Sequence, residues 1–395
     1  MTAGIFVLVL GYVLSQFYRA FLAVLAPFLS ADTGAGADDL ALSSGLWFLA
    51  FAAMQIPVGA ALDRFGPRRT TAWMLGLGGG GGALVFALAQ GPGTIHLAMV
   101  LLGIGCAPVL MASYFLFARN FPPAVFATLA GVMIGVGSLG NLAGALPLAW
   151  AAETFGWRQS VAGLAVLTLA IAVAVGLLLR DPPPAPPSAD GARGSLLDLL
   201  RIPGFWLILP MLVVNYAPSA GLRGLWIGPY YEAAFAATPS QIGTVTLIMA
   251  LAMTVGNFLY APLDRLLGTR KGVVLAGNLL GLICLFALAL NPLPGFWTAA
   301  VLFAGIGLFG ASFAVLIAHG RAMVPPHLLG RGITLMNLFG IGGAGVLQFL
   351  SGPVHRAGVA GAGDPLAGFQ ALFLFFAFSL LAGCLFYVFS RDTRG

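Results

Sequence analysis

The chain is 395 residues long, 60% hydrophobic and 8% charged, with 18 basic and 12 acidic residues for a net charge of +6. Soluble domains carry about a quarter charged residues, so these few charges cannot furnish a water-facing surface, and a soluble enzyme is excluded. The content of Leu, Phe, Val and Ile excludes a disordered or fibrous chain as well, despite 55 Gly and 25 Pro. What remains is a polytopic membrane protein.

A helix that crosses a bilayer needs roughly 20 apolar residues. Twelve segments read at that scale, at 4–29, 42–62, 71–89, 95–118, 124–150, 160–179, 204–231, 239–262, 272–290, 296–318, 328–353 and 369–390. The first has no basic leader or small-residue cleavage site and carries an Arg at its middle, so it reads as a retained helix. One longer polar stretch, Arg180 to Pro203, is Pro-rich and then briefly amphipathic. The expected organisation is therefore a six-helix bundle at 1–180, a cytoplasmic linker at 181–203 and a second six-helix bundle at 204–395. Cys106, Cys284 and Cys384 lie singly in apolar segments, so no disulfide framework or metal site is expected.

Basic loop residues orient the chain. With a cytoplasmic N-terminus, one side holds Arg64, Arg68, Arg69, Arg119, Arg180, Arg193, Arg201, Arg265, Arg270, Lys271, Arg321, Arg331, Arg391 and Arg394, and the other only Arg158 and Arg356. The split of 14 to 2 places both termini in the cytoplasm, and the bacterial inner membrane is the expected location. The halves also repeat. Asp63-Arg64 recurs as Asp264-Arg265 at an offset of 201, Arg119 with Pro122-Pro123 recurs as Arg321 with Pro325-Pro326 at 202 and 203, and Pro27 matches Pro229 at 202. An even number of helices separates the copies, as parallel repeats about an axis along the membrane normal require.

Between spans two and three stands Gly59-x-x-Leu62-Asp63-Arg64-Phe65-Gly66-Pro67-Arg68-Arg69. An Asp at a helix end, beside a tight turn and an Arg cluster, makes charge-assisted contacts that open and close as helices slide. The loop resembles the signature of the major facilitator superfamily, and Asp264, Arg265 and Arg270 fall in its degraded second copy. Leu62 stands one position late against that pattern, and Tyr260 replaces the glycine of the second copy. The resemblance covers essentially the whole chain. It implies an all-α integral membrane fold of twelve helices in two pseudo-symmetric bundles, alternating access, and a cytoplasmic gate of Gly59, Asp63, Arg64, Gly66, Arg68, Arg69, Asp264, Arg265 and Arg270.

Arg19 and Arg223 lie deep in the first helix of each half, where an Arg costs about 2.5–3.5 kcal/mol on insertion scales. Tyr12, Gln16 and Arg19 share one helical face, as do Asn215, Ser219 and Arg223. A polar stripe in an apolar helix must face protein or a water-filled cavity. No Asp or Glu lies at depth in any span, so the substrate is expected to supply the anion, gripped by the planar forks of the two guanidinium groups. Within the superfamily this pattern is similar to organophosphate antiporters and organic-anion carriers. Tyr114 and Asn257 join the expected binding set.

The expectation is thus a secondary transporter, with no enzymatic activity and no cofactor, for a small organic anion such as a carboxylate or phosphate ester. Its partners are that anion, protons or a counter-anion, and the bilayer; no nucleic acid is expected, and the protein is read as a monomer. The alternatives are a proton-coupled drug or metabolite efflux pump, and a copper importer using Met249-x-x-x-Met253 and His319-x-x-x-Met323 as soft ligands. Two matches to a dinucleotide fingerprint, Gly135-x-Gly137-x-x-Gly140 and Gly340-x-Gly342-x-x-Gly345, follow no strand and read as helix packing.

Overall fold

The computed structural model describes residues 2–121, 123–182, 202, 204–324 and 329–392. Most of the linker expected at 181–203 lies outside them, as do Pro122, Pro325 and Pro326 of the repeat and Arg193, Arg201 and Arg394 of the loop charges. Every regular element among the described residues is helical.

Nine helices among the described residues are long and apolar enough to cross a membrane, and two bent pairs add two more candidates. The second pair, Ala37–Ala53 with Gln55–Ala87, is too long for one crossing. At 1.5 Å per residue, residues 37–87 would extend about 77 Å against a hydrocarbon core of about 30 Å. Gly66 divides it, with φ 79° and ψ 163° inside an otherwise helical run. Only a residue without a Cβ enters that region cheaply. Spans two and three therefore meet at Gly66, and the described helices account for twelve spans.

Span one is Thr2–Phe17 and Leu22–Thr33. Span three continues through a π-helical segment, Met74–Gly80, into Gly81–Ala87. Spans four to six are Pro92–Asn120, Pro123–Ala143 with Leu146–Phe155, and Trp157–Leu178. Span seven is the most broken: Phe205–Asn215, Ala217–Gly221, a π segment Leu222–Trp226, and Ile227–Phe235. Spans eight to twelve are Pro239–Leu267, Arg270–Leu290, Phe296–Gly310 with Phe313–Met323, Leu329–Ala362 and Pro365–Tyr387.

The chain divides into two compact units. The first holds Met1–Pro186, Gly224–Glu232 and Ala237–Leu247, and the second holds Pro187–Arg223, Ala233–Ala236 and Ile248–Gly395. Gly224–Glu232 of span seven and Ala237–Leu247 of span eight thus group with the first unit. Within that unit Pro27 has no N–H for the carbonyl of Ala23, four residues back. Gly228 packs on that oxygen, and a methyl at Gly224 would stand 2.8 Å from the carbonyl of Arg19. Glu153 likewise accepts a hydrogen bond from the backbone N–H of Ser240 at 3.0 Å.

Of the six fingerprint glycines, Gly137, Gly140 and Gly340 pack closely on other helices, whereas a Cβ at Gly135 would meet nothing within 4 Å. In the first unit a side chain at Gly137 would meet the ring of Tyr12, and one at Gly140 the backbone of Val13 and Phe17. In the second, Gly340 packs on Phe313, and a Cβ at Gly343, which lies outside the fingerprint but matches Gly140 in the repeat, would stand 2.6 Å from the Cα of Val213. Small residues let membrane helices approach backbone to backbone, and here spans one with five and seven with eleven use the device twice.

Candidate functional site

Arg19 sits where span one breaks. The helices on either side are bent by 55°, and Tyr18–Phe21 between them form turns. Tyr18, fully buried, pins the break to span six through a 2.8 Å hydrogen bond between its hydroxyl and that of Thr168. The guanidinium carbon of Arg19 lies 5.2 Å from the ring centroid of Trp47 and 4.8 Å from that of Phe51. Those rings stack at 5.2 Å and 16°. An aromatic platform attracts a cation through its quadrupole, by about 0.5–2 kcal/mol when water is scarce, yet leaves the N–H fork unused. The Arg19 Nε is buried and makes no hydrogen bond, and among the described residues Arg19 pairs with no carboxylate.

Arg223 occupies the corresponding helix of the second half and also lies on irregular backbone, the π segment Leu222–Trp226. Pro229 deprives the carbonyl of Leu225 of its helical donor, which favours a local change of register. Arg223 is 1% exposed and interacts with its surroundings. The expectation of two cations without protein partners therefore narrows to Arg19. Broken helices at corresponding places in two repeats mark binding sites in transporters, and each break here carries an Arg.

On the same span, before the break, Tyr12 is buried and its hydroxyl accepts from the Gln16 amide at 3.1 Å. Tyr114, half-buried on span four, interacts with Tyr12. The first unit thus gathers Tyr12, Gln16 and Tyr114. In the second unit the arrangement differs from the polar stripe read in the sequence. Asn215, 2% exposed, donates to the side-chain oxygens of Asn278 at 2.8 Å and Ser312 at 3.1 Å. Ser219, 1% exposed, donates to the carbonyl of Ile306 at 3.0 Å. Both turn into their own bundle, where they line one cavity. Asn257 is exposed. Met249 and Met253 pack on Gly307, where a Cβ would lie 3.0 and 2.9 Å from their Cγ atoms, so those side chains fill the contact between spans eight and ten.

The loop set is built by groups that lie far apart in sequence. A Cβ at Gly66 would stand 2.6 Å from the Asp181 carboxyl carbon, and the N–H of Arg68 donates to Asp181 Oδ1 at 2.8 Å. Gly59 is half-buried, while Asp63, Arg64 and Arg69 are exposed, with Arg64 over the ring of Phe65 at 5.2 Å. In the second half Asp392 plays the part of Asp181. It accepts from the N–H of Lys271 at 3.0 Å and from the Thr269 hydroxyl at 2.5 Å. Burial alone would raise its carboxyl, but these donors and the nearby His319 hold it below the usual carboxylate range. Asp264 pairs with Arg270 at 3.2 Å, and Arg265 is exposed. Each capping carboxylate follows an Arg at the end of the last span of its half, Arg180-Asp181 and Arg391-Asp392. That repeated dipeptide is the signal a reading of the loops alone overlooks; for the platform it is the i, i+4 spacing of Trp47 and Phe51.

Residues 8–225 and 219–395 each match the family model described as the Major Facilitator Superfamily. The chain belongs to the Major Facilitator Superfamily. Among solved structures of that fold, the chain matches the D-xylose-proton symporter with a TM-score of 0.78, 15% identity and 99% and 98% of the two chains covered. It matches a bacterial homologue of the human lysosomal transporter Spinster, inward-facing and occupied, with a TM-score of 0.74, 18% identity and 97% and 95% covered. These likenesses support the fold: an all-α, multi-pass membrane protein built of two domains. Among curated relatives, an uncharacterised transporter of Bacillus subtilis is 28% identical over 37% of this chain and 33% of its own. A methyl viologen resistance protein of Salmonella typhimurium is 29% identical over 56% and 43%. A quinolone resistance transporter of Acinetobacter baumannii is 27% identical over 35% and 36%. The matches span a third to under a half of these relatives' lengths.

Proposed function

We propose that the protein is a secondary transporter that moves a small organic anion, a carboxylate or phosphate ester, across the bacterial inner membrane by alternating access. Its termini are cytoplasmic, and it acts as a monomer. Arg19 and Arg223 are the substrate-binding cations, with Tyr12, Gln16 and Tyr114 as further binding residues; Asp63, Arg64, Arg68, Arg69, Asp264, Arg265 and Arg270 belong to the gate. One observation carries the reading. Arg19 stands at a helix break on an aromatic platform, with no carboxylate among the described residues and a buried Nε that bonds to nothing. A buried donor without a partner costs about 1–3 kcal/mol, more when it is charged. A bidentate anion relieves that cost in the bound state.

A second reading is favoured by the printed descriptions of two relatives, which concern resistance to methyl viologen and to quinolones: efflux of a drug. A cationic drug would have to be accommodated beside guanidinium groups, with no carboxylate at depth in the spans, so the anion reading stands first. Counterflow in proteoliposomes separates the two. Preloaded carboxylates or phosphate esters should drive uptake of the labelled anion, and Arg19→Ala should abolish it at normal expression. Drug accumulation that responds to the protein, with no anion counterflow in the wild type, would overturn the proposal.

A further inference from the structure

Span seven stops at Asn215 and restarts at Ala217, and span ten stops at Gly310 and restarts at Phe313. Both stops are helix C-termini, which carry the equivalent of about half a negative charge each. Between them, inside the second unit, lies a small, partly open cavity of ≈ 10 Å³ lined by Asn215, Ser219, Asn278, Ile306 and Gly310 among others. That is room for one guest the size of a water molecule.

The hydrogen bonds fix what the guest meets. The Asn278 amide donates to the carbonyl of Val274 at 2.7 Å, which settles which of its ends is the oxygen. That oxygen takes the Asn215 amide N–H, so the Asn215 Oδ1 is turned away from it. This Oδ1 is buried and accepts nothing. The Ser219 hydroxyl has already spent its proton on Ile306. The donors of Asn215, Ser219 and Asn278 are therefore committed, and what they leave to the cavity is lone pairs. A water placed there could donate but would find none of these donors for its own oxygen. A cation needs acceptors only.

We propose that this cavity is a binding site for a single sodium ion. Neutral oxygens and two helix C-termini suit a monovalent cation, and half-helix C-terminal ends with unwound carbonyls hold sodium in other transporter architectures. Divalent ions want carboxylates, and none lines the cavity. The volume of one water favours sodium over potassium. Asn215 lies eight residues before Arg223, about 12 Å along the same broken span, so an ion at this break fixes the segment that carries the Arg. The site needs no bound anion.

The test is thermal unfolding of the full-length protein in detergent, without organic anion, at constant ionic strength in sodium, potassium or choline chloride. Sodium should raise Tm in a saturable way, potassium less, and choline not at all, because only a ligand of the folded state stabilises it. Asn215→Leu and Ser219→Ala should each remove the sodium-dependent shift. Should the leucine variant fail to fold, Ser219→Ala carries the test, since it keeps the bundle's packing. Equal Tm in the three salts, or an undiminished sodium shift in Ser219→Ala, would overturn the site and leave a cavity for water. Neither result bears on anion counterflow, so the two proposals fail separately.

Discussion

At the scale of single residues, the telling contrast is between the two arginines. Both were legible in the sequence, because an Arg at depth in an apolar helix is costly and the repeat places them in corresponding helices. Their surroundings were not legible. The platform under Arg19 comes from span two, and Arg223 is almost fully enclosed. Asn215 and Ser219 share a face with Arg223 on an ideal helical wheel, and their hydrogen bonds go to Asn278, Ser312 and Ile306. The capping aspartates allow a test with a defined sign. The Asp392 carboxyl is held below its ordinary value of about 3.9, so its contribution to stability is present above that value and lost as pH falls through the lowered one. Asp392→Asn should lower Tm at pH 7, and the difference from wild type should shrink below about pH 4. A gap of constant size across that range would show that the contact does not depend on the charge.

At the scale of elements, glycine does much of the work. Spans one and five approach at Gly137 and Gly140, and spans seven and eleven at Gly340 and Gly343. Of the motif glycines read as packing residues, Gly137, Gly140 and Gly340 do pack closely, while a Cβ at Gly135 would meet nothing. Gly140→Leu and Gly343→Leu should each destabilise by about 1–3 kcal/mol or more, as overpacking does, measured as lower Tm and poorer recovery after solubilisation. Gly131→Ala should be tolerated, because a Cβ there meets nothing within 4 Å. The irregular segments were less legible. Pro27 and Pro229 announce trouble in spans one and seven, but whether a chain answers with a kink, a turn or a π segment depends on the neighbours that satisfy the freed backbone groups.

At the scale of the whole molecule, hydropathy and loop charge carry the reading furthest. They give twelve spans and an orientation, and the break at Gly66 is what separates two of those spans in a helical run too long for one crossing. The orientation is checked by accessibility in a variant whose native cysteines are replaced. Gly91→Cys, between spans three and four, should react with a membrane-impermeant maleimide in intact cells, whereas Arg180→Cys should react only after permeabilisation. The reverse pattern would invert the topology. The central claim, however, rests on Arg19, and equilibrium binding of carboxylates and phosphate esters to the purified protein tests it most directly. Saturable anion binding is expected, which Arg19→Ala weakens by about 3 kcal/mol, roughly a hundredfold, with Arg19→Lys intermediate because a point charge keeps the attraction and loses the fork. Unchanged anion affinity in a folded Arg19→Ala protein would contradict it.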